Sequence, residues 1–281
     1  MKKTYLLLLI FFLASCSSSN NDTPLPDNNG NNNDGTPVLV TKVITSGETS
    51  TYSYNGSKLF QIINITKGNV TTFTYTNDLI TQSETIGPNP QTNQYTYDTD
   101  KRLIKLIASG VSFGTSWSLE SDYTYKPNNR VEIKFYKKFT PPLQRRRGSV
   151  SAVLNTDGSL SSWNGSFDRT LNDNPGVIAT SKLKTVEYDT KNSPFKNITG
   201  YLKIIDLENK NGSSHNTLNY DHMINYEYLP APTVEAERTA FKSDFEYNTS
   251  AYPIKETRTT YANYKGSPTT INISTFEYNH L

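Results

Sequence analysis

Few residues in this chain have the type and spacing for chemistry. Of its 3 histidines, only His215 and His222, with Asp221 beside the second, lie close enough to share a metal ion. Zinc and its neighbours are usually held by clustered His, Cys and carboxylate ligands. The group lacks that pattern and reads as a polar loop, so no metal site is expected. Nucleophilic catalysis would call for a strained Gly-Ser-Gly elbow or an activated thiol, and neither occurs. Glu120, Asp122, Glu187, Glu246 and Glu256 lie on strand-like sequence and are of the kind that glycoside hydrolysis uses in pairs, yet their spacing selects no pair. Phosphate-cradling glycine loops, cofactor motifs and nucleic-acid motifs are missing. The expectation is a chain that is not an enzyme, holds no cofactor and binds no nucleic acid. Trp117 and Trp163, near Gly114 and Gly165, are the candidates for a ligand platform, because flat aromatic rings stack on sugars and lipophilic molecules.

One cysteine remains, and its position explains it. Lys2 and Lys3, the apolar run from Leu6 to Leu13, and Leu13-Ala14-Ser15-Cys16 follow the layout of a secretory signal. The run is shorter than the roughly 20 residues that span a bilayer. Small residues directly before a cysteine resemble the lipobox of bacterial lipoproteins, which implies that residues 1–15 are removed and that Cys16 carries the lipid. A lipid with more than one acyl chain suffices for stable anchoring. Ser17 replaces the aspartate that retains enteric lipoproteins in the inner membrane, so the resemblance implies a lipid-anchored outer-membrane protein. Whether it faces the periplasm or the surface stays open: the first acidic residue, Asp22, comes late. With Cys16 as the single cysteine, the mature chain has no disulfide, and burial and pairing must hold it together.

From residue 17 to 36 the chain is Ser, Asn, Asp, Gly, Thr and Pro with one apolar residue, Leu25. Such a segment cannot bury enough surface to offset its ordering entropy and is expected to be a disordered tether, leaving residues 37–281 as one domain. The formal charge of +2 vanishes when Lys2 and Lys3 leave, since 28 Lys and Arg become 26 against 26 Asp and Glu. The one basic cluster, Arg145 to Arg147 beside Pro141 and Pro142, reads as a solvated loop.

Of the 19 tyrosines, all but Tyr5 follow the signal, and the apolar residues alternate with Thr, Ser, Asn and Lys at period two, which is strand sequence. A unit recurs in which an aromatic or β-branched residue, one spacer and a tyrosine end a strand, a polar turn follows, and an aliphatic residue opens the next. Copies run from Tyr52-Ser53-Tyr54 to Leu59, Phe73-Thr74-Tyr75 to Leu79, Tyr95-Thr96-Tyr97 to Leu103, Tyr123-Thr124-Tyr125 to Val131, Val186-Glu187-Tyr188 to Phe195 and Phe245-Glu246-Tyr247 to Ile254. Phe276-Glu277-Tyr278 begins another and stops short. The i and i+2 residues share one strand face, and the turn reverses the chain, so each unit is a two-strand element. Tyr97-Asp98-Thr99-Asp100 and Tyr188-Asp189-Thr190-Lys191 resemble the YD repeat of RHS and teneurin shells. The fuller resemblance is to Bacteroidota outer-membrane lipoproteins with degenerate repeats of this kind. It implies a meandering antiparallel sheet and brings no catalytic residues.

Ten to fourteen strands in one open sheet would leave edges and one face exposed. The expectation is therefore an all-β, strongly curved antiparallel meander, a half-barrel or two layers, with a short helix or long loop between Thr199 and Leu229 covering its concave face. The function expected is that of an envelope lipoprotein that binds another envelope protein or a glycan. The alternative is a carrier that holds an acyl chain against Phe60, Ile62, Phe73 and Phe135.

Overall fold

The computed structural model describes residues 36–112, 114–140, 144–171, 174–205, 213–228, 234–262 and 269–280. The signal, Cys16 and the tether lie outside the described residues, as do Pro141 and Pro142. From Pro37 onward the chain forms 16 antiparallel strands. They are β1 (Val40–Thr45), β2 (Glu48–Asn55), β3 (Lys58–Asn64), β4 (Asn69–Thr76), β5 (Leu79–Ile86), β6 (Gln91–Tyr97), β7 (Leu103–Ser112) and β8 (Thr115–Lys126). The others are β9 (Arg130–Thr140), β10 (Gln144–Leu154), β11 (Leu160–Leu171), β12 (Asn174–Tyr188), β13 (Thr217–Tyr228), β14 (Val234–Tyr247), β15 (Pro253–Ala262) and β16 (Thr270–Tyr278). Each strand pairs with its sequence neighbours and β1 pairs with β16, so the sheet is a closed barrel. This corrects the open half-barrel or two-layer meander expected from the sequence.

The repeat supplies the reason for closure. At Ser53/Tyr54, Thr74/Tyr75, Thr96/Tyr97, Glu187/Tyr188 and Glu246/Tyr247 the register shifts by an extra residue. Such bulges raise local twist and bend the strand. Repeated at the same place in successive hairpins, the same bend accumulates until the first strand meets the last. The unit that stops short at Tyr278 is completed by β1, where Val40 stands opposite Tyr278.

Bonds between neighbouring units run round this end of the barrel. Tyr54 Oη donates to the Val40 carbonyl at 2.6 Å, Tyr97 Oη to Ile80 at 2.8 Å, Tyr188 Oη to Leu160 at 3.0 Å and Tyr278 Oη to Pro253 at 2.7 Å. The Leu59 amide donates to Tyr75 Oη at 3.1 Å. These five anchor tyrosines thus grip the residue that opens a strand of the adjoining unit, whereas Tyr247 Oη turns to the Asp189 carboxylate. The openers Val40, Leu59, Ile80, Leu103 and Val131 are fully buried. Two openers differ from the sequence reading by one position: Ile80 rather than Leu79, and Pro253 rather than Ile254, which points out to solvent. Phe195 opens no strand and instead packs in the loop described next.

Between β12 and β13 the chain crosses this end of the barrel. Asn192 N donates to Ala251 O, Thr199 N to Ser57 O, and Asn197 Nδ2 to Val38 O and Tyr252 Oη. Ile198 is buried beside Leu39, Val40 and Leu59. Gly200, at φ 74°, passes so close to the β4–β5 turn that a Cβ would lie 2.6 Å from Asp78 O. The covering element expected between Thr199 and Leu229 is therefore displaced: a single 3-10 turn at Tyr201–Lys203 belongs to the plug, and β13 occupies the later part.

Candidate functional site in the barrel interior

Strand alternation sorts the side chains. Tyr52, Phe73, Tyr95, Tyr123, Phe245 and Phe276 line the interior, and the outer face carries Thr, Ser and charged residues with Phe60, Ile86, Ile107, Tyr136, Ile271 and Ile273 exposed among them. Several of the charges pair across strands: Lys105 with Glu120 and Asp122, Lys255 with Glu246, and Arg238 with Asp221. Asp221 and His222 are neighbours on β13 and so face opposite ways. Asp221 accepts both arms of Arg238 at 2.8 Å on the outside, whereas the His222 ring lies inside, 4.7 Å from that of Trp163, with Nε2 2.6 Å from Ser181 Oγ. His215 sits in the plug with Nδ1 2.8 Å from Lys191 O. The three are not brought together, and the described residues hold no metal-ligand group.

The carboxylates of interest separate in the same way. Glu120, Asp122, Glu187 and Glu246 lie on the outer face, where Glu187 accepts from Asn219 and the others meet lysines. Only Glu256 points inward. Arg147 is exposed and its amide donates to Asp168 Oδ1 at 3.2 Å. Both tryptophans face the interior of the long-stranded side. Trp163 is 8% exposed in a cluster with Val150, Ala152 and Leu183. Trp117 covers Gly110, where an added Cβ would meet its ring at 3.0 Å, and Lys137 Nζ lies 4.8 Å from its centroid. Of the residues proposed for an acyl-lined concavity, Phe60 is on the outer face, 56% exposed, while Ile62, Phe73 and Phe135 pack with the interior clusters.

Above the loop that crosses this end, where β13 to β16 meet β1 and β2, the interior is hollow. A cavity of about 340 Å³ is bounded by Tyr52, Phe195, Phe245 and Phe276 and by the polar side chains of Thr45, Glu48, Ser50, Asn216, Glu256, Arg258, Asn272 and Ser274. That volume is at the lower end of the range of small-molecule sites. Its polar wall is braced. Glu256 is buried, and its Oε1 accepts from Ser243 Oγ and from Arg258 Nε, both at 2.7 Å. Arg258 Nε also reaches Ser243 Oγ at 3.2 Å, and its guanidinium carbon lies 4.1 Å from the Phe241 centroid. A buried carboxylate needs such partners, since leaving it unpaired would be costly. Thr45 and Ser274 share a hydrogen bond of 2.9 Å, and Ser46 Oγ donates to Asn272 Oδ1 at 2.9 Å.

At the mouth of this region Glu48 pairs with Lys67 at 2.8 Å. The Lys67 hydrogen bond holds the Glu48 carboxyl below its usual range, so it stays ionised at neutral pH. Burial pushes the Tyr52 hydroxyl up to about 12, which keeps it a neutral donor. Burial, then the Asp189 carboxylate that its hydroxyl contacts, raises Tyr247 as well. Sequence reasoning passed over Arg258, Glu48, Ser243 and Asn272. Alternation from Phe245 through Ser243 and across β15 marks Glu256 and Arg258 as inward, but only with the register in hand.

No protein-family model and no curated protein sequence matches the chain. Among solved structures, a porin-like protein from Bacteroides vulgatus ATCC 8482 is similar with a TM-score of 0.51 at 13% identity, covering 86% of this chain and 100% of that one. A porin-like protein from Bacteroides uniformis ATCC 8492 gives a TM-score of 0.32 at 9% identity over 83% and 78% of the two chains. The first likeness is one of fold alone.

Proposed function

We propose that this chain is a non-enzymatic envelope lipoprotein, anchored in the outer membrane through Cys16, whose barrel stands outside the bilayer and binds a small molecule in its interior. The observation that carries the reading is the direction in which the barrel faces its polarity. A barrel that crosses a membrane turns an apolar band about 25 Å tall outward, with aromatic girdles, and a lysine or arginine at mid-bilayer costs it about 2–4 kcal/mol. Here Lys134, Lys182, Lys242 and Asp244 lie on outward strand positions and are exposed, and although Phe60, Tyr136 and several isoleucines are exposed among such charges, most of the aromatics point in. Porin architecture is thus combined with the surface of a water-soluble protein, and a separate lipid anchor at Cys16 would supply the membrane attachment.

The interior cavity favours a polar ligand over an acyl chain. Ionised and amide groups converge on it between aromatic walls, as in sites that orient a ligand by a few polar contacts against apolar surface. A glycan-derived ring, with hydroxyls at its edge and C–H groups on its faces, matches that lining. The serine–histidine contact of Ser181 and His222 lies outside the lining of this cavity.

The test is fractionation of the Cys16→Ala variant in the native envelope. The expected outcome is loss of membrane association with the barrel still folded, judged by resistance to protease. A Cys16→Ala barrel that stays in the membrane after alkaline extraction would show that the strands themselves are embedded, and the reading would fall.

A further inference from the structure

We infer that the ligand of the interior cavity carries a carboxylate, and that Arg258 is the residue that binds it. The inference rests on the cavity reading above and deepens it to a chemical class: a polyhydroxylated ring bearing one acid group, as in a sugar acid.

Arg258 is fixed on two sides. Its Nε is engaged by Glu256 Oε1 and Ser243 Oγ, and its guanidinium plane rests on Phe241. Its two terminal nitrogens have no partner among the described residues, and the residue lines the cavity. A guanidinium held in this way presents a planar fork that matches the two oxygens of a carboxylate, and because Glu256 and Phe241 have already ordered the side chain, little rotamer entropy is lost on binding. Glu256 is the positioning residue, holding the fork rather than consuming it. With Glu48 paired to Lys67 and Glu256 to Arg258, one added negative charge is opposed less than two. Glu48 and Glu256 both line the cavity, so a dianionic phosphate would face two carboxylates with one arginine to offset them. Tyr52 and Phe276 supply flat surface for the ring, and Asn272 and Ser274 supply donors and acceptors for hydroxyls.

The full-length protein in detergent is titrated calorimetrically with glucuronate, glucose and glucose 6-phosphate. Glucuronate is expected to bind at least about tenfold more tightly than either of the others, the factor that one charge-assisted pair supplies. Arg258→Ala should bring glucuronate down to the level of glucose, and Arg258→Lys, which keeps the charge and is the safer variant for folding, should lose most of the same preference because it lacks the fork. Thermal melting confirms that each variant is folded. Equal binding of glucose and glucuronate, a preference for the phosphate, or a preference that survives Arg258→Lys would overturn the proposal. Binding of none of the three would overturn it too. Native mass spectrometry of protein taken from its own envelope then decides the cavity reading separately: a small mass retained by the wild type and lost in Ser50→Trp keeps that reading, and no retained mass in either ends both.

Discussion

One repeat builds two unlike sides of the same barrel. On one side, β1 to β6 are six to eight residues long, their outer face is largely Thr, Ser, Gln and Ile, and their inner face helps to enclose a cavity. On the other, β8 to β14 run to between 11 and 15 residues, the outer face is dense in charge, and the inward residues pack into one large cluster, with Thr217 and Phe245 at the cavity's edge. The difference lies in what stands opposite the large inward residues. On the long side they meet glycine and alanine: Gly110 faces Trp117, Gly148 lies between Phe135 and Phe167, and Ala152 faces Trp163. Large and small interlock, and the space fills to the density of a protein core. On the short side the aromatics are separated by Ser, Thr and Asn, which neither fill the space nor expel water. Hollowness is thus set by inward residue size, with the backbone plan unchanged.

Over-packing one side should separate the two most sharply. At Gly148 an added Cβ would lie 2.6 Å from Phe135 Cζ, from Phe167 Cβ and from Ser166 O, and the last of these is backbone that cannot swing aside. Gly148→Val is expected to cost about 3 kcal/mol or more in urea melts. Ser50→Leu, into the cavity, should cost about 1 kcal/mol or less. Similar losses at both sites would mean that the short side is as full as the long one.

A smaller effect sharpens the bonds common to both sides. Tyr97→Phe and Tyr278→Phe each leave a carbonyl without its hydroxyl partner, and each should cost about 1–2 kcal/mol. For Tyr278→Phe, hydrogen exchange should speed up first along β1 and β16, and uniform acceleration round the barrel would argue against a distinct seam.

Alkali should reveal the same tyrosines together. Tyr52, Tyr97, Tyr123 and Tyr278 all have hydroxyls raised by burial. A pKa higher in the folded state means that the native form holds the proton more tightly, so the stability is fully present below pH 10 and falls as pH rises through 10 to 12. Tyrosinate absorbance should therefore appear in step with unfolding; free titration near pH 10 in the folded barrel would contradict the burial. The least effect belongs to the outer face. Removing Lys255, whose ion pair with Glu246 is 2.7 Å long and well exposed, should change the midpoint by less than about 1 kcal/mol.

Much of the wall was readable from sequence and its shape was not. Alternation and the Tyr-turn-aliphatic unit located the strands and the inward face, and Tyr54, Tyr75 and Tyr97 sit where the unit puts them. Closure depended on the bulges beside Tyr54, Tyr75, Tyr97, Tyr188 and Tyr247, Tyr125 having none, and they appear in sequence only as an extra residue, as after Leu59 or Leu103, within the range of ordinary turn variation. The broken copy at Phe276 was the visible sign, because a half unit at one terminus implies its other half elsewhere, and Val40 is that half. The β10–β11 unit escaped notice because Ala152-Val153-Leu154, which ends its strand opposite Leu160 with the same register shift, carries no aromatic residue. The cavity lining was legible least of all, since Glu256 and Arg258 meet Thr45 and Glu48 only across a seam that joins the two ends of the domain.

That seam also dictates a timetable. β1 and β16 lie more than two hundred residues apart in sequence, and contacts at that separation close slowly. Until Thr270–Tyr278 has arrived there is no partner for Val40 and no final rung for Tyr278, and any shorter chain carries two raw sheet edges. The fastening thus lies in Thr270–Tyr278, and the barrel shuts only once that strand has paired with β1.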